Sequence, residues 1–471
     1  MMLYKVPSLI ALSVALAGCS LAPDYQKPQA PVASAWQSAD TAVTEQAEVH
    51  GWEAFVTDAA LRELVQTALT NNRSFRQTLL DIESARAQYR IVQSDRLPQL
   101  QATGSGNRQQ TPASLSPTGV AGVSSNYQVG LSLPEYELDL FARVKNLSDA
   151  ALEQYLATEA GSRATQIALI AEVIQAFLTY ESTQQQAVLA NSTSETRAKS
   201  LELVTQRRSL GDASALDYQE AYSLLQQANI ALEQANRAHQ QAQNALVLLL
   251  GTSNTTTLLQ STLLAQPNEK RIVQRIAAGT PSLLIAHRPD ILASEHRLKA
   301  RHADIGAARA AFFPRISLTG NFGTASNEMS GLFESGSKAW AFMPQISLPI
   351  FTGGRNRANL TLAEVRKDIA IAEYEYQIQS AFREVADALV ASSSLQREEN
   401  AQAELASSAN KTLQLAEARY RAGVDSNLRY LDAQRQHFSA QQNLITVNTQ
   451  HQLALVDLFR ALGGNWYTKT H

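Results

Sequence analysis

The chain has 471 residues, 45% of them hydrophobic but only 7% aromatic, and a formal charge of −3. That balance leaves no basic footprint for nucleic acid and no block of like charge that would read as a solvated tail. Its Ala and Gln richness favours long thin helices over several ordinary domains, and past the leader no stretch approaches about eighteen apolar residues, which excludes transmembrane helices.

Residues 1–18 read as an export leader. Lys5 supplies a positive start, Leu9 to Ala17 form a short apolar run, and Leu16-Ala17-Gly18 ends in the small residues of a cleavage site. Cys19 follows at once and is the chain's single cysteine, so it cannot form an internal disulfide. Placed there, it resembles the acylated first residue of a lipoprotein; the alternative is a buried spare thiol. Ser20 in place of aspartate fits sorting to an outer membrane. Residues 19–56 have linker composition.

A helix is predicted over Asp58 to Gln93, interrupted near Asn71-Asn72, then a strand from Leu97 and another over Tyr127 to Pro134. In the latter, Tyr127, Val129, Leu131 and Leu133 alternate with Gln128, Gly130 and Ser132. Gly104 to Asn126 reads as the connecting loop. A helix of nearly sixty residues, about 90 Å at 1.5 Å per residue, covers Asn146 to Arg208. Gly211 can end it in the left-handed conformation, and Ser214 can cap its successor with Asp217 at the capping-box position. In that next helix Ala228, Leu232, Ala235, His239, Ala242, Leu246 and Leu249 form a heptad seam, the mark of a coiled-coil contact.

After a linker over 252–287 the series repeats. A helix is predicted over Pro289 to Phe312. Between Pro314 and Thr324, Ile316, Leu318, Gly320 and Phe322 alternate with Arg315, Ser317, Thr319 and Asn321. Trp340, Phe342, Ile346, Leu348 and Ile350 repeat the pattern after a loop over Ala325 to Ser337. Pro98, Pro134, Pro314 and Pro349 are expected at strand ends, bulges or junctions, whereas Pro344 falls mid-run. A second long helix covers Asn356 to Arg421, Gly423 and Ser426 repeat the turn and cap, and the last helix carries one seam over Ala440, Leu444, Val447, His451, Ala454 and Leu458. Leu428, Leu431, Phe438 and Ile445 begin another on a shifted face. Two seams imply two neighbours, as in helices closing into a tube.

The two halves are copies. Arg207, Gly211, Ser214, Leu216 and Tyr218 match Arg419, Gly423, Ser426, Leu428 and Tyr430 at one constant shift of 212. The units are therefore 57–251 and 288–463, with 464–471 as a tail. Strands apolar on one face and polar on the other fit a membrane β-barrel wall, although a soluble sheet is the plainer alternative. Four strands cannot close a barrel in lipid, where every backbone group needs a partner, so more than one copy is required; the strand count by itself does not decide between two and three.

On the helix following the second tip, Leu428, Asp432 and Arg435 are spaced by four and three and share one face. Repeated around an axis they would make a ring of leucines, carboxylates and guanidiniums; the plainer reading is an exposed ion pair worth about 0.3–0.5 kcal/mol.

The leader with Cys19, the duplicated helix-strand-strand-helix unit and the tip ARYRAGVDSNLRYLDAQRQ (Ala418 to Gln436) together resemble the TolC-like outer-membrane factors, in their lipoprotein drug-efflux (OprM-like) branch. The resemblance spans the mature chain. It implies an α+β membrane protein: a homotrimer with a twelve-stranded outer-membrane β-barrel, four strands per chain, continuing into a long periplasmic α-helical barrel of coiled-coil hairpins. It further implies a lipid anchor on Cys19 in outer-membrane lipid, a periplasmic adaptor (membrane fusion) protein and an inner-membrane proton-driven RND-type pump. Leu428, Asp432 and Arg435 would form the periplasmic gate, and the tips around Arg207, Gly211, Ser214, Leu216, Arg419, Gly423 and Ser426 the adaptor docking surface. The first copy departs from the gate pattern, with Leu216, Glu220 and Ser223 at the matched positions.

No catalytic, cofactor or metal constellation is expected. The eight histidines include no His-Glu-x-x-His and no Cys/His cluster, His239 and His451 sit on packing seams, and neither a phosphate loop nor a nucleophile elbow is present. Four methionines, two of them in the leader, offer no thioether ladder for soft metals, which favours organic cargo. The expected function is a passive, gated exit duct of a tripartite system exporting drugs or other small toxic compounds, not an enzyme. Protein secretion through the same duct and a non-channel periplasmic lipoprotein rod are the alternatives.

Overall fold

The structure is a computed structural model and describes residues 20–33, 51–117, 119–252, 270–276, 285 and 287–465. Cys19 lies outside these residues. The elements are α1 (Trp52–Phe55), α2 (Ala59–Asn71), α3 (Arg73–Ser94), β1 (Gln101–Thr111), β2 (Gly122–Leu138), α4 (Arg143–Ser209), α5 (Ala215–Leu250), α6 (Pro289–Ala310), β3 (Arg315–Ser326), β4 (Lys338–Ser347), α7 (Arg355–Arg421) and α8 (Asn427–Ala461). The same order of helix, two strands and a helical hairpin is run through twice. α4 and α7 are 67 residues each, a little longer than their patterns suggested. The predicted break at Asn71-Asn72 has a physical cause. The Asn72 side-chain oxygen caps α3 by accepting from Phe75 N–H at 2.9 Å, while its amide donates to the Leu249 carbonyl at 2.9 Å.

The chain divides into two compact units, each drawing on both sequence halves: residues 1–29, 81–159 and 293–375 in one, and 30–80, 160–292 and 376–471 in the other. The first contains the antiparallel sheet, ordered β1-β2-β3-β4. Register explains the alternation. Pairing Leu131 with Phe322, Leu133 with Gly320, and Phe322 with Trp340 puts most large apolar positions of three strands on one face, where Val129, Leu131, Phe322, Trp340, Phe342 and Ile346 are all exposed; Met343, paired with Thr319, falls on the other. Ser132 and Asn321, also paired, fall on the other. A sheet that shows water a continuous apolar face is built to meet lipid. Among the described residues β1 and β4 are paired on one side only, which is untenable in hydrocarbon without further strands.

Several strand boundaries differ from expectation, and β4 ends at Ser347, which leaves Leu348 and Ile350 beyond the strand. β1 starts at Gln101, not Leu97, and with β2 extends far into the stretch that reads as loop, because Gly, Ser, Asn and Gln there are paired strand residues from Gly104–Val129 out to Thr111–Gly122. Small polar residues signal turns only when nothing pairs with them. β2 also passes through Pro134 to Leu138. A register shift between Leu133 and Tyr136 lets one extra residue through, so that Tyr136 and Leu138 rejoin the apolar side opposite Leu318 and Ile316. Pro344 pairs with Leu318 on β4, the last strand in the chain's own sheet order.

The same unit holds the segment that follows Cys19. Ser20 Oγ donates to Asn146 at 2.9 Å, Arg309 donates to the Leu21 carbonyl at 3.2 Å, and Lys27 pairs with Glu295 at 2.7 Å. Gly306 makes the room: a Cβ there would lie 2.8 Å from the Asn146 side-chain carbon and 2.9 Å from the Ala22 Cα. Gly306→Val is expected to lift residues 20–27 from α4 and α6, seen as new protease cleavage within that segment in the otherwise assembled protein.

In the second unit Phe55 stacks on Phe459 with ring centres 4.4 Å apart, and Val56 bridges to Ile272. Two buried arginines tie distant segments. Arg271, 2% exposed, pairs with Asp58 and, at 3.0 Å, with Glu181. Arg288 holds Asp290 at 2.9 Å, Glu384, and the Ala461 carbonyl at 2.9 Å. Breaking such buried pairs is expensive because the remaining charge has no water. His451 is likewise a packing residue, buried on the α8 seam with Nδ1 2.6 Å from Glu399.

Candidate functional site

Both hairpin tips belong to the second unit and are built alike. Gly211 and Gly423 have φ of +85° and +74°. At the first tip the Gly211 and Asp212 N–H groups donate to the Arg208 and Arg207 carbonyls at 3.1 and 2.9 Å. At the second, Gly423 and Val424 donate to Tyr420 and Arg419, both at 3.0 Å. This is the Schellman closure, which only a left-handed residue completes cheaply.

The caps that follow are not alike. Ser214 and Asp217 form the full capping box, Asp217 N–H donating to Ser214 Oγ at 3.1 Å and Ser214 N–H to the Asp217 carboxylate at 2.9 Å. Hydrogen bonds from Ser214 hold the Asp217 carboxyl below its ordinary range. Ser426 stands at the cap of α8 but its side chain caps nothing, contrary to expectation. Asp425 takes the ordering role instead, gripped by Arg419 through two hydrogen bonds of 2.7 and 3.0 Å that depress its pKa, with Arg429 at 3.7 Å. The second copy has Arg429 where a capping box needs its acidic residue three positions on. Ser214→Ala is therefore expected to cost about 1 kcal/mol, read as faster amide exchange over Ala215 to Tyr218. Ser426→Ala should leave the exchange of α8 unchanged.

The tips also touch. The Arg207 guanidinium lies 5.3 Å from the Tyr420 ring centre, and Tyr420 stacks on Tyr430 at 5.4 Å. Leu210, Leu216, Val424 and Leu428 are 77%, 67%, 63% and 57% exposed. The two turns thus present four bare aliphatic side chains beside Arg207 and Arg419, a surface suited to a protein partner.

Leu428, Asp432 and Arg435 share one face of α8, as their spacing implies. Leu431, Ala433 and Gln434, beside them on the helix, are buried. Arg435 donates to Asp432 at 3.0 Å, Gln436 donates to the second Asp432 oxygen at 2.8 Å, and the two charged side chains are half exposed. The trio lines no packed core and its ion pair leaves both groups open to water, an arrangement available to form a ring across copies. Its counterpart on α5 has Glu220 and Ser223 in place of Asp432 and Arg435, so α5 repeats the carboxylate but has no guanidinium to pair with it.

One charged residue close to this face gave no signal in the sequence. Arg197, between Thr196 and Ala198 in an Ala- and polar-rich run, reads as solvent-exposed; in the fold it is 6% exposed and faces the Phe438 ring of α8. No local periodicity distinguishes it.

The family model described as "Outer membrane efflux protein" matches residues 64–252 and 280–464. The chain is 58% identical over 461 residues to the outer membrane protein OprJ of Pseudomonas aeruginosa, covering 98% of this chain and 95% of that one. It is 47% identical over 467 residues to the toluene efflux pump outer membrane protein TtgF of Pseudomonas putida, covering 97% and 96%. Among solved structures it superposes on a membrane protein from Pseudomonas aeruginosa with a TM-score of 0.89 at 58% identity, over 95% of this chain and 98% of the other.

Proposed function

Because this chain belongs to the outer membrane efflux protein family, we propose that its duct is closed at rest by Leu428, Asp432 and Arg435 and is opened by a partner seated on the hairpin tips. The protein is an outer-membrane efflux channel, not an enzyme. Transport through it is passive, since a duct needs a path and a gate but no chemistry.

The observation that carries the reading is a sheet of four strands with an apolar face on which Val129, Leu131, Phe322, Trp340, Phe342 and Ile346 are exposed and, among the described residues, two unpaired edges. Three copies would supply twelve strands, enough to close a wall and leave a passage, whereas two would fill the interior with side chains. The homotrimer closes β4 of one copy against β1 of the next. An acyl chain on Cys19 would add a second hold on the outer membrane, and the docking of Ser20 on Asn146 would fix where that chain leaves the protein.

Partner recognition falls to the tips, where the exposed Leu210, Leu216, Val424 and Leu428 with Arg207 and Arg419 form the adaptor surface. The adaptor in turn couples to an RND-type pump driven by protons. Cargo is organic and small: the similarity to a toluene efflux protein points that way, and the methionine-poor sequence offers no soft-metal ladder. Deleting the gene should raise sensitivity to hydrophobic antibiotics and solvents and their accumulation in cells, with complementation restoring export. Loss of a secreted protein with unchanged drug sensitivity would refute the assignment of cargo.

A further inference from the structure

Arg197 of α4 is buried, yet among the described residues no carboxylate faces it. One guanidinium N–H donates to the Leu224 carbonyl of α5 at 2.8 Å, the guanidinium carbon lies 5.7 Å from the centre of the Phe438 ring of α8, and Nε, shut away from solvent, has no hydrogen-bond partner. The carbonyl and the ring face compensate part of the charge. The remainder is uncompensated, and a buried cation without a counter-ion is costly. A leucine or methionine would fill the same seam at no such cost, so packing alone does not account for an arginine.

The turn of α8 that Arg197 faces is the one that carries Arg435. Arg435 precedes Phe438 by three residues on α8 and so shares its face. Burial and the charge of Arg435 both weaken the hold of Arg197 on its proton. Ser200, three residues after Arg197 on α4, accepts from Gln434 at 3.3 Å; Gln434 is 6% exposed and its buried side-chain oxygen is unpartnered. Among the described residues this contact of α4 with α8 therefore brings two cations toward each other, while Asp432 holds Arg435 at 3.0 Å.

We propose that Arg197 is a positioning residue of the gate: its charge pushes on Arg435, and Asp432, by holding Arg435, keeps the tip of α8 closed against that push. Arg197 touches no cargo and acts through Arg435. The inference rests on the reading of Leu428, Asp432 and Arg435 as the gate. The closed tip is thus poised, and anything that draws Asp432 away from Arg435, such as a cationic group of a docked partner, releases the push.

The test uses the full-length purified channel in planar bilayers. Asp432→Ala alone should raise the open fraction roughly fivefold, in the range of coupling between neighbouring charges. Adding Arg197→Gln should return it close to the parent value, and adding Arg197→Lys, which keeps the charge, should not. Asp432→Ala with Gln434→Glu, which supplies the missing anion without touching Arg197, should suppress opening as Arg197→Gln does. Opening undiminished by Arg197→Gln, or suppressed equally by Lys, overturns the proposal while leaving the gate intact. Should the Arg197→Gln protein fail to assemble, the Gln434→Glu arm decides, and undiminished opening there overturns it equally. If Asp432→Ala conducts as the parent does, and Asp432→Ala with Arg435→Ala also does, the gate reading itself falls and this inference with it.

Discussion

Replacing Asp432 and Arg435 together by alanine should raise single-channel conductance in planar bilayers. The two side chains are half exposed and joined by a 3.0 Å ion pair on the same face of α8 as Leu428. An exposed pair is worth about 0.5 kcal/mol. Three copies acting together would shift the closed-to-open ratio about tenfold, since each 1.4 kcal/mol is a factor of ten. Truncation to alanine also removes the bulk that narrows the aperture, so the change should appear both in the open fraction and in the size of the open current. Leu428→Ala should widen the aperture without altering ion preference. Conductance unchanged in the double variant would show that these residues are only a surface pair. The matched positions on α5 hold Glu220 and Ser223, and Glu220→Ala with Ser223→Ala should have little effect.

A larger effect is expected from Gly323→Val, which should abolish the assembled channel. Gly130 and Gly323 face each other across β2 and β3. A Cβ on Gly130 would lie 2.5 Å from the Phe322 carbonyl oxygen and 2.7 Å from the Gly323 Cα, and one on Gly323 would strike the Val129 carbonyl. The obstacle is backbone, which cannot swing aside as a side chain can, so the central pairing must separate or slip. A slip by one residue would put the apolar set of β3 on the polar face. Overpacking of this kind costs about 3 kcal/mol and strikes a sheet whose closure already depends on other copies. The heat-stable oligomer in the outer-membrane fraction should fall below about a tenth of the parent amount. Gly122→Val is the control, because nothing lies within 4 Å of its added carbon. Normal assembly of Gly323→Val would mean that β2 and β3 do not meet at these glycines.

These two experiments probe different kinds of knowledge. That Leu428, Asp432 and Arg435 share a face was legible in the sequence because helical periodicity is a local property: residues spaced by four and three lie together whatever surrounds the helix. The same holds for the left-handed glycines of the tips, the seam through His451, the duplication, and the one-sided strands. Period and turn chemistry are written in neighbouring residues, and they suffice to require several copies in a membrane wall.

The strand ends were less legible. β1 beyond Gly104 looks like loop by composition and becomes strand only because β2 lies opposite it, and β2 outlasts Pro134 only because a bulge restores its phase against Leu318. Ser426 looks like Ser214, yet a single change three residues on, Arg429 where the first copy has Asp217, together with the Arg419–Asp425 pair, removes its capping bond. The ties made by Arg271 and Arg288, the room left by Gly306 for the segment after Cys19, and the uncompensated charge of Arg197 had no precursor in the sequence at all. Each depends on partners far away along the chain, such as Arg271 with Asp58, or Arg197 with Phe438. Which elements this protein has, and which side of each is greasy, was determined by the sequence itself. Which glycines must stay bare and which arginines find a counter-charge was decided only by tertiary structure, because close approach and burial of charge are properties of pairs that meet after folding.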